Sequence, residues 1–177
     1  KLMNGDYHDV EQWLSEGSVD LGFIALPTRL KGRITALLED RLLAVVPMEH
    51  RLASLPRFPI KEVENEPFIS LLETSDHDAR RALEAAGVKP NIRYTTKDDY
   101  AIIAMVEQGL GVSIMPELLL SGRSDNVRIM ELTPPASRTI GLCLPDADRA
   151  GPATARFAQC VSDWVRERYS RIQNTTS

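Results

Sequence analysis

The side chains best placed to bind a small molecule lie at the ends of predicted strands, in two separate parts of the chain. Ligand pockets in α/β proteins are lined by strand ends and by the first turns of helices. Hydroxyl groups and backbone amides at helix N-termini also bind small anions well. We therefore predict a small-molecule site, with a carboxylate as one candidate ligand. The candidate site residues are Leu26, Pro27, Thr28, Ser70, Leu71, Leu72, Thr95, Thr96, Val112 and Ser113.

Some of these hydroxyls have an alternative role in the local backbone. Ser70 and Thr96 could equally cap a helix or close a turn. Thr28 opens a basic loop, residues 28–33, whose arginines and lysine could place positive charge near a ligand. Flexible loop side chains are commonly just solvated, and we favour that interpretation for this loop.

Aspartates near the predicted helix starts argue against a strongly anionic ligand at those points. Asp76 precedes one predicted helix, and Asp98 and Asp99 lie at the start of the next. A carboxylate at a helix start accepts hydrogen bonds from the first amides and offsets the helix dipole. We expect these three residues to cap helices rather than bind a ligand.

The sequence offers little that could support catalysis or hold a metal ion. His8, His50 and His77 are far apart, and none has a cysteine or histidine at metal-ligand spacing. Asp98 and Asp99 are neighbours on a helix and point in different directions, so they cannot act as a carboxylate pair. The sequence contains no nucleophile elbow or phosphate-binding loop. We therefore predict no enzyme activity, no cofactor and no metal site.

The elements that must position the site residues include one pattern that occurs twice. In residues 100–116 an apolar helix ends at Gly109, and Gly111 leads into a short strand that stops at a proline. Glycine at a helix end can adopt a positive φ, and proline cannot continue a strand. Residues 10–27 repeat the order of helix, glycine (Gly17), apolar strand and proline. The repeat predicts two similar lobes.

Strands and helices alternate along the rest of the chain, which predicts an α/β fold of two Rossmann-like lobes, each with a mixed sheet. Two crossings of the chain between the lobes would form a hinge beside a cleft. We assign residues 1–47 and 139–171 to lobe 1, 48–138 to lobe 2 and 172–177 to a flexible tail. The remaining predicted strands are residues 34–38, 42–46, 67–71, 91–96, 127–132 and 139–144, and the remaining predicted helices are 77–86 and 154–169.

Composition excludes several classes of protein. The 177 residues are 43% apolar and carry a net charge of −4. Such a chain is poorly suited to bind a nucleic-acid backbone by itself, and its apolar runs are too short to span a membrane. We expect Cys143 and Cys160 to be buried free thiols, and Trp13 and Trp164 to pack in the core. With no disulfide framework and no visible signal peptide, the cytoplasm is the expected compartment.

Four segments of the chain carry a family resemblance. Residues 14–24 contain the end of a helix, a glycine, an aspartate and an apolar strand, and the other segments are residues 37–53, 67–69 and 106–116. In this order and spacing the chain resembles the effector-binding domain of LysR-type transcriptional regulators. The resemblance covers most of residues 10–165 and implies the type 2 periplasmic binding protein fold.

The resemblance also implies a function and an organisation. A small metabolite would bind between the lobes, near Ser70 and Thr96, and rearrange the subunits of a homodimer or homotetramer. This would change DNA binding by a winged-helix domain outside this chain. A first strand and helix would precede Lys1, which makes residues 3–5 the end of a second strand. Two alternatives stay open, an extracytoplasmic solute-binding protein and an enzyme, both on the same fold.

Overall fold

Helices and strands alternate along the chain and form a mixed α/β fold. The computed structural model describes residues 1–72, 78–121, 126–148 and 150–173. The strands are β1 (Gly22–Leu26), β2 (Arg33–Pro47), β3 (Phe58–Pro59), β4 (Pro67–Leu71), β5 (Asn91–Thr96), β6 (Ser113–Pro116) and β7 (Val127–Leu144). The helices are α1 (Tyr7–Glu16), α2 (Asp78–Ala85), α3 (Asp99–Glu107), α4 (Glu117–Leu120) and α5 (Pro152–Gln173), with a 3₁₀ helix at Ile60–Asn65.

The chain divides into two compact units. Unit 1 comprises Lys1–Glu39 and Thr139–Ser177, and unit 2 comprises Asp40–Arg138. β2 and β7 each contribute residues to both units, so they are the two connecting strands. Hydrogen bonds link the strands in the order β1-β7-β2-β6, with β3 also on β7, while β4 and β5 form a separate pair.

In unit 1, local capping fixes both ends of α1. The Asp6 carboxylate accepts the Asp9 amide at 2.9 Å, and the Asp9 carboxylate accepts the Asp6 amide at 3.1 Å. Gly17 ends the helix with a φ of 71°, as the sequence predicts. β1 then pairs antiparallel with the last part of β7. The buried core cluster of this unit is small and consists of Leu14, Ile24 and Cys143.

In unit 2, β2 has apolar side chains on both faces. Leu42, Ala44 and Val46 belong to one core cluster, whereas Leu43 and Val45 belong to another. All five are buried, as predicted for a strand that is covered on both sides. This part of β2 pairs antiparallel with β6.

Both connecting strands are continuous where the sequence predicts a break. We expected strands 34–38 and 42–46 to be joined through Glu39, Asp40 and Arg41, but β2 runs through these residues. Asp40 and Arg41 have ion-pair partners, which lets a strand accommodate their charges. We also expected a break at Pro134 and Pro135, which instead lie in β7. Both prolines are exposed there, in a position where the lack of an amide hydrogen is tolerated.

Several predicted boundaries differ from the structure. We placed the first division of the chain after Pro47, but it lies after Glu39 because residues 42–45 pair with β6 of unit 2. Residues 3–5 form no strand. α5 begins earlier than predicted, at Pro152, a residue type that suits the first turn of a helix. The predicted cap Asp76 and most of the predicted tail lie outside the described residues.

The predictions for two side chains on α5 are wrong. Trp164 is 54% exposed, so it is not a core residue. The Arg168 guanidinium lies 5.5 Å from the centre of its ring, and the Tyr169 ring lies edge-on at 6.2 Å. Cys160 is exposed as well, whereas Cys143 is buried as expected. Helical periodicity alone predicted an apolar face on α5 but not whether anything covers it.

Candidate ligand site

The end of the β4–β5 pair brings together five of the predicted site residues. The two strands are parallel, with Ser70 opposite Thr95 and Leu71 opposite Thr96. One residue beyond β4, the Leu72 amide donates to the Thr96 carbonyl at 2.8 Å. The two strands therefore end side by side at their carboxyl edge, where α/β folds commonly place ligands. Both predicted strand ranges, 67–71 and 91–96, are confirmed.

Thr96 and Asp98 form the start of α3. The Thr96 hydroxyl oxygen accepts the Asp98 amide at 3.1 Å. The Asp98 carboxylate accepts the Tyr100 amide at 2.8 Å, as a helix cap does. Asp98 therefore has the capping role that the sequence predicts, and Thr96 has the turn role that was its alternative. Of the other two candidate caps, Asp99 is the first residue of α3 and not its N-cap, and Asp76 lies outside the described residues.

The hydroxyl of Ser70 also has a local acceptor. It donates to the Leu71 carbonyl at 2.9 Å, and the residue is half-buried. Thr95 is exposed on β5. The strand end thus presents one exposed and one half-buried hydroxyl from adjacent strands.

Val112 and Ser113 join β6 to β4 and are buried. The Val112 amide donates to the Pro67 carbonyl and its carbonyl accepts the Ile69 amide, both at 2.9 Å. The Ser113 hydroxyl donates to the Ile69 carbonyl at 2.8 Å. This pair therefore holds β4 in place from the interior of unit 2.

Close packing at Gly111 allows this contact between β6 and β4. A side-chain carbon at Gly111 would collide with the Pro67 carbonyl oxygen. Gly109, two residues earlier, has a φ of 72° and ends α3. Glycine is thus needed at the two positions for different reasons. At Gly111 a side chain would collide with β4, and at Gly109 the backbone has a positive φ.

The remaining predicted residues, Leu26, Pro27 and Thr28, belong to unit 1. The Thr28 hydroxyl donates to the Glu11 carboxylate at 3.0 Å and accepts the Leu30 amide at 3.1 Å. Thr28 is half-buried, so its role in the loop is more structured than the solvated one we favoured. The basic side chains that follow it are exposed.

Unit 2 contains a buried cluster of ion pairs that we did not predict from the sequence. The Arg138 guanidinium contacts the Asp40 carboxylate through Nε and Nη2, both at 2.8 Å, and the Asp78 carboxylate through Nη1 at 3.3 Å. The three side chains are 13%, 1% and 5% exposed. We call these residues the Arg138 cluster. Arg81 also contacts Asp78, from one turn further along α2.

The Arg138 cluster connects β2, β7 and α2, and it also reaches α4. Asp40 is on β2, Arg138 is on β7, and Asp78 is the first residue of α2. The second oxygen of Asp40 accepts the Leu118 amide of α4 at 3.0 Å. Burying charges in this way is stable only when each has partners. The available sequence signal was an aspartate within an apolar strand, which we interpreted as a break between two strands.

Asp99, at the start of α3, has a perturbed acidity. Burial raises the pKa of its carboxyl above the ordinary value of 3.8, and the charge of Asp98 raises it further. The positive charge of Arg138 opposes this shift, which means that its field extends to α3. The starts of α2 and α3 are thus both influenced by one guanidinium.

Within the described ranges, no group of three histidine, cysteine, aspartate or glutamate side chains could hold a metal ion. His50 has a structural environment: its Nδ1 accepts the Leu52 amide at 3.2 Å and its ring lies 6.2 Å from that of Phe58. His8 is exposed, and His77 lies outside the described residues. Among the residues that the structure describes, no helix is both long enough and apolar enough to cross a membrane.

Unit 2 also contains a groove of about 740 Å³ that none of the predicted site residues lines. It lies between the turn after β2 and the end of α3, and three glutamates, Glu49, Glu66 and Glu107, contribute to its wall. Arg51 pairs with Glu66 at 2.8 Å inside this lining. The groove is therefore partly neutralised by the protein itself.

Comparisons with known proteins identify the family. The family described as LysR substrate binding domain matches residues 1–166. An uncharacterised HTH-type transcriptional regulator of Bacillus subtilis, YvbU, is 26% identical over 164 residues, which are 92% of this chain and 56% of the relative. The chain thus spans about half the length of the curated relatives that it matches.

Solved structures give the same result for the fold. The regulatory domain of Synechocystis CcmR in complex with 2-PG superposes with a TM-score of 0.85 at 16% identity, covering 95% of this chain and 84% of that one. The effector-binding domain of QuiR in complex with shikimate gives 0.82 at 19% identity, covering 95% and 82%. The fold is accordingly the type 2 periplasmic binding protein-like fold, and the chain belongs to the LysR substrate-binding domain family.

Proposed function

We propose that this chain is the effector-binding part of a LysR-type transcriptional regulator in the cytoplasm. A small metabolite binds to it and changes how a winged-helix DNA-binding domain of the same regulator contacts DNA. The regulator acts as a homodimer or homotetramer. Family membership supports this proposal, because curated relatives over most of this chain are HTH-type transcriptional regulators.

The observation that carries the effector proposal is the adjoining carboxyl edge of β4 and β5. Ser70 and Thr95 lie opposite each other there, as do Leu71 and Thr96. Hydroxyls beside an apolar side chain suit a small molecule with a polar group and a carbon skeleton. We place the effector against these residues and Leu72. The prediction that Leu26, Pro27 and Thr28 also contact it stays a prediction.

The chemical class that we propose is a small carboxylate. The described complexes of two structural neighbours contain 2-PG and shikimate. In this chain the carboxylates of Asp98 and Asp99 would repel an anion at the start of α3. We therefore place the acidic group of the ligand on the Ser70 side of the edge and its hydroxylated or apolar part towards Thr95.

The binding proposal is tested with a thermal-shift screen of small carboxylates, amino acids and aromatic acids. A ligand that binds only the folded domain raises its stability by RT ln(1 + [L]/Kd), or by about 2.7 kcal/mol at a hundred times Kd. We expect at least one carboxylate to raise the melting temperature in a concentration-dependent manner. Ser70→Ala and Thr95→Val should each abolish the shift of the best compound.

Matched controls separate binding from stability. Ser15→Ala removes an exposed helix hydroxyl in unit 1, far along the chain from these strands, and should leave the shift unchanged. Thr96→Val is less suitable as a sole variant, because it also removes the acceptor for the Asp98 amide. A full shift in both Ser70→Ala and Thr95→Val would show that the effector binds elsewhere.

The regulatory part of the proposal requires the full regulator. An effector that changes DNA affinity about 5–150-fold needs a coupling free energy of about 1–3 kcal/mol. We expect the best compound from the screen to change operator affinity in a fluorescence-anisotropy titration within that range. Equal affinities with and without a compound that does bind would refute regulation while leaving binding intact.

A further inference from the structure

The Arg138 cluster occupies a special position in the chain. Asp40 is the first residue of unit 2 on β2, and Arg138 is the last residue of unit 2 on β7. They are 98 residues apart in sequence and hydrogen bonded at 2.8 Å. Both connecting strands are thus tied to each other at the point where they leave unit 2.

The cluster also reaches the helix that follows β4. Asp78 is the first residue of α2 and contacts Nη1 of Arg138 at 3.3 Å. A guanidinium holds two carboxylates in a fixed geometry because its donors form a rigid planar fork. With Asp40 on one side of the fork and Asp78 on the other, α2 cannot shift relative to the connecting strands without breaking a buried ion pair.

We propose that Arg138 is a coupling residue, which makes the position of α2 and the rigidity of the connecting strands β2 and β7 depend on each other. Because α2 follows the β4 edge in the chain, this provides a route from the effector residues to the strands that lead into unit 1. As a route of regulation it rests on the proposed function, whereas the coupling itself does not.

Burial makes the coupling strong. Asp40 and Asp78 are 1% and 5% exposed, so water cannot replace the guanidinium as their partner without opening the structure. The adjacent ion pair on β2 provides a contrast. Arg41 contacts Glu117 at 2.6 Å, but the two side chains are 53% and 38% exposed. Water can solvate these charges after the pair is broken, so this contact should not couple elements.

The test is hydrogen–deuterium exchange on the protein without any small molecule added. Asp78→Asn removes a charge on α2 while leaving both connecting strands unmutated. We expect amides of residues 36–42 and 136–141 to exchange at least about tenfold faster in this variant, a factor that corresponds to about 1.4 kcal/mol of opening free energy. Glu117→Gln, the matched control, should leave those amides unchanged, and amides of α1 should be unchanged in both variants.

Two results would overturn the proposal. Faster exchange confined to α2 in Asp78→Asn would mean that the helix and strands are independent. Equal acceleration by Glu117→Gln would mean that loss of any ion pair loosens the strands. If Asp78→Asn does not fold, Arg138→Lys replaces it, because an ammonium keeps the charge but lacks the fork that holds both carboxylates. Wild-type exchange in Arg138→Lys would also overturn the proposal.

The exchange experiment and the thermal-shift screen test different proposals, so either proposal can fail without the other. If Asp78→Asn accelerates exchange in the connecting strands but no compound binds, coupling through Arg138 stands and the effector proposal is refuted. If a compound binds at Ser70 and Thr95 but exchange in the connecting strands is unchanged in Asp78→Asn, the effector site stands. Regulation would then have to pass through residues other than the Arg138 cluster.

Discussion

Most of the hydroxyl groups that the sequence offers as ligand contacts already hydrogen bond within the protein. Thr28 donates to Glu11, Ser70 to Leu71 and Ser113 to Ile69. These residues differ in burial, however, and burial decides what each bond contributes. A bond to a buried carbonyl has no replacement from water, whereas an exposed one does.

Ser113→Ala should therefore lower stability. It removes the hydroxyl of a serine that is 2% exposed and leaves the Ile69 carbonyl short of one hydrogen-bond donor. We expect a loss of about 1–2 kcal/mol in the free energy of unfolding, measured by urea denaturation. Ser15→Ala, which removes a hydroxyl bonded to an exposed helix carbonyl, should change it by less than about 0.5 kcal/mol. Equal losses would contradict the role of burial.

The Arg41–Glu117 pair should contribute to acid sensitivity. The hydrogen bond from Arg41 holds the pKa of Glu117 below its ordinary value of 4.5. A folded-state pKa below the unfolded one adds stability above about pH 4.5, and that stability is lost as the pH falls through the folded value. Glu117→Gln should lose less stability than the wild type between pH 6 and pH 3 in urea titrations, by under about 1 kcal/mol because both side chains are partly exposed. Parallel curves would refute this.

Asp99 should have the opposite pH dependence. Burial raises the pKa of its carboxyl above 3.8, so the folded state binds the proton more tightly than the unfolded chain. Its contribution to stability therefore falls as the pH rises from 3.8 through the folded pKa. The stability of Asp99→Asn relative to the wild type should increase over that window and then level off. A constant difference from pH 3 to pH 7 would show that Asp99 titrates like an exposed aspartate.

At the scale of elements, local signals in the sequence located β4, β5 and α3 well. Residues that act locally bound two of them: Pro67 begins β4, Asp98 caps α3, and Gly109, with a positive φ, follows the end of α3. β2 and β7 were misjudged because what keeps them continuous is distant in the sequence. The partner of Asp40 is 98 residues away, and no local pattern indicates it.

The candidate site likewise has one part that the sequence predicts and one part that it does not. The neighbouring positions of Ser70 and Thr96 followed from two correctly predicted strands, since parallel strands end at one edge. The Arg138 cluster required knowledge of three elements at once, with Asp78 lying 60 residues before its arginine. Periodicity reports which face of an element is apolar but not which distant charge completes a buried pair.

The two glycines near β6 should respond differently to alanine. Gly109 has a φ of 72° and no atom within 4 Å of an added side-chain carbon, so Gly109→Ala should cost only backbone strain of about 1–2 kcal/mol. Gly111→Ala would collide with the Pro67 carbonyl and separate β6 from β4, and we expect a larger loss. Urea denaturation of both variants measures the order. A smaller loss at Gly111 would contradict the close approach of these strands.

At the scale of the whole molecule, the two units differ in how they are built. Unit 2 is one continuous stretch of chain and contains both large core clusters. Unit 1 combines two distant stretches, and its described core cluster has three buried residues. Since burial of apolar area supplies most of the stabilising free energy, unit 2 should be the more stable part.

A fragment of residues 40–138 should therefore fold alone. It retains β2 from Asp40 onward, the β4–β5 pair and the complete Arg138 cluster. We expect a cooperative thermal transition by circular dichroism and dispersed amide resonances. A matched fragment of residues 1–39, which lacks the β7 partner of β1, should be unfolded. A fragment 40–138 without a cooperative transition would show that unit 2 needs residues outside it.

The pairing of β1 with β7 has a consequence for synthesis on the ribosome. Gly22 pairs with Cys143, so β1 emerges long before its partner strand exists. At about 5–20 residues per second, the nascent chain waits on the order of ten seconds with this edge uncovered. Residues 40–138 are synthesised during that interval, and their two core clusters contain no residue of β1. β1 is thus an edge that a chaperone would protect while its partner is being made, and translation pauses before residue 139 would lengthen its exposure.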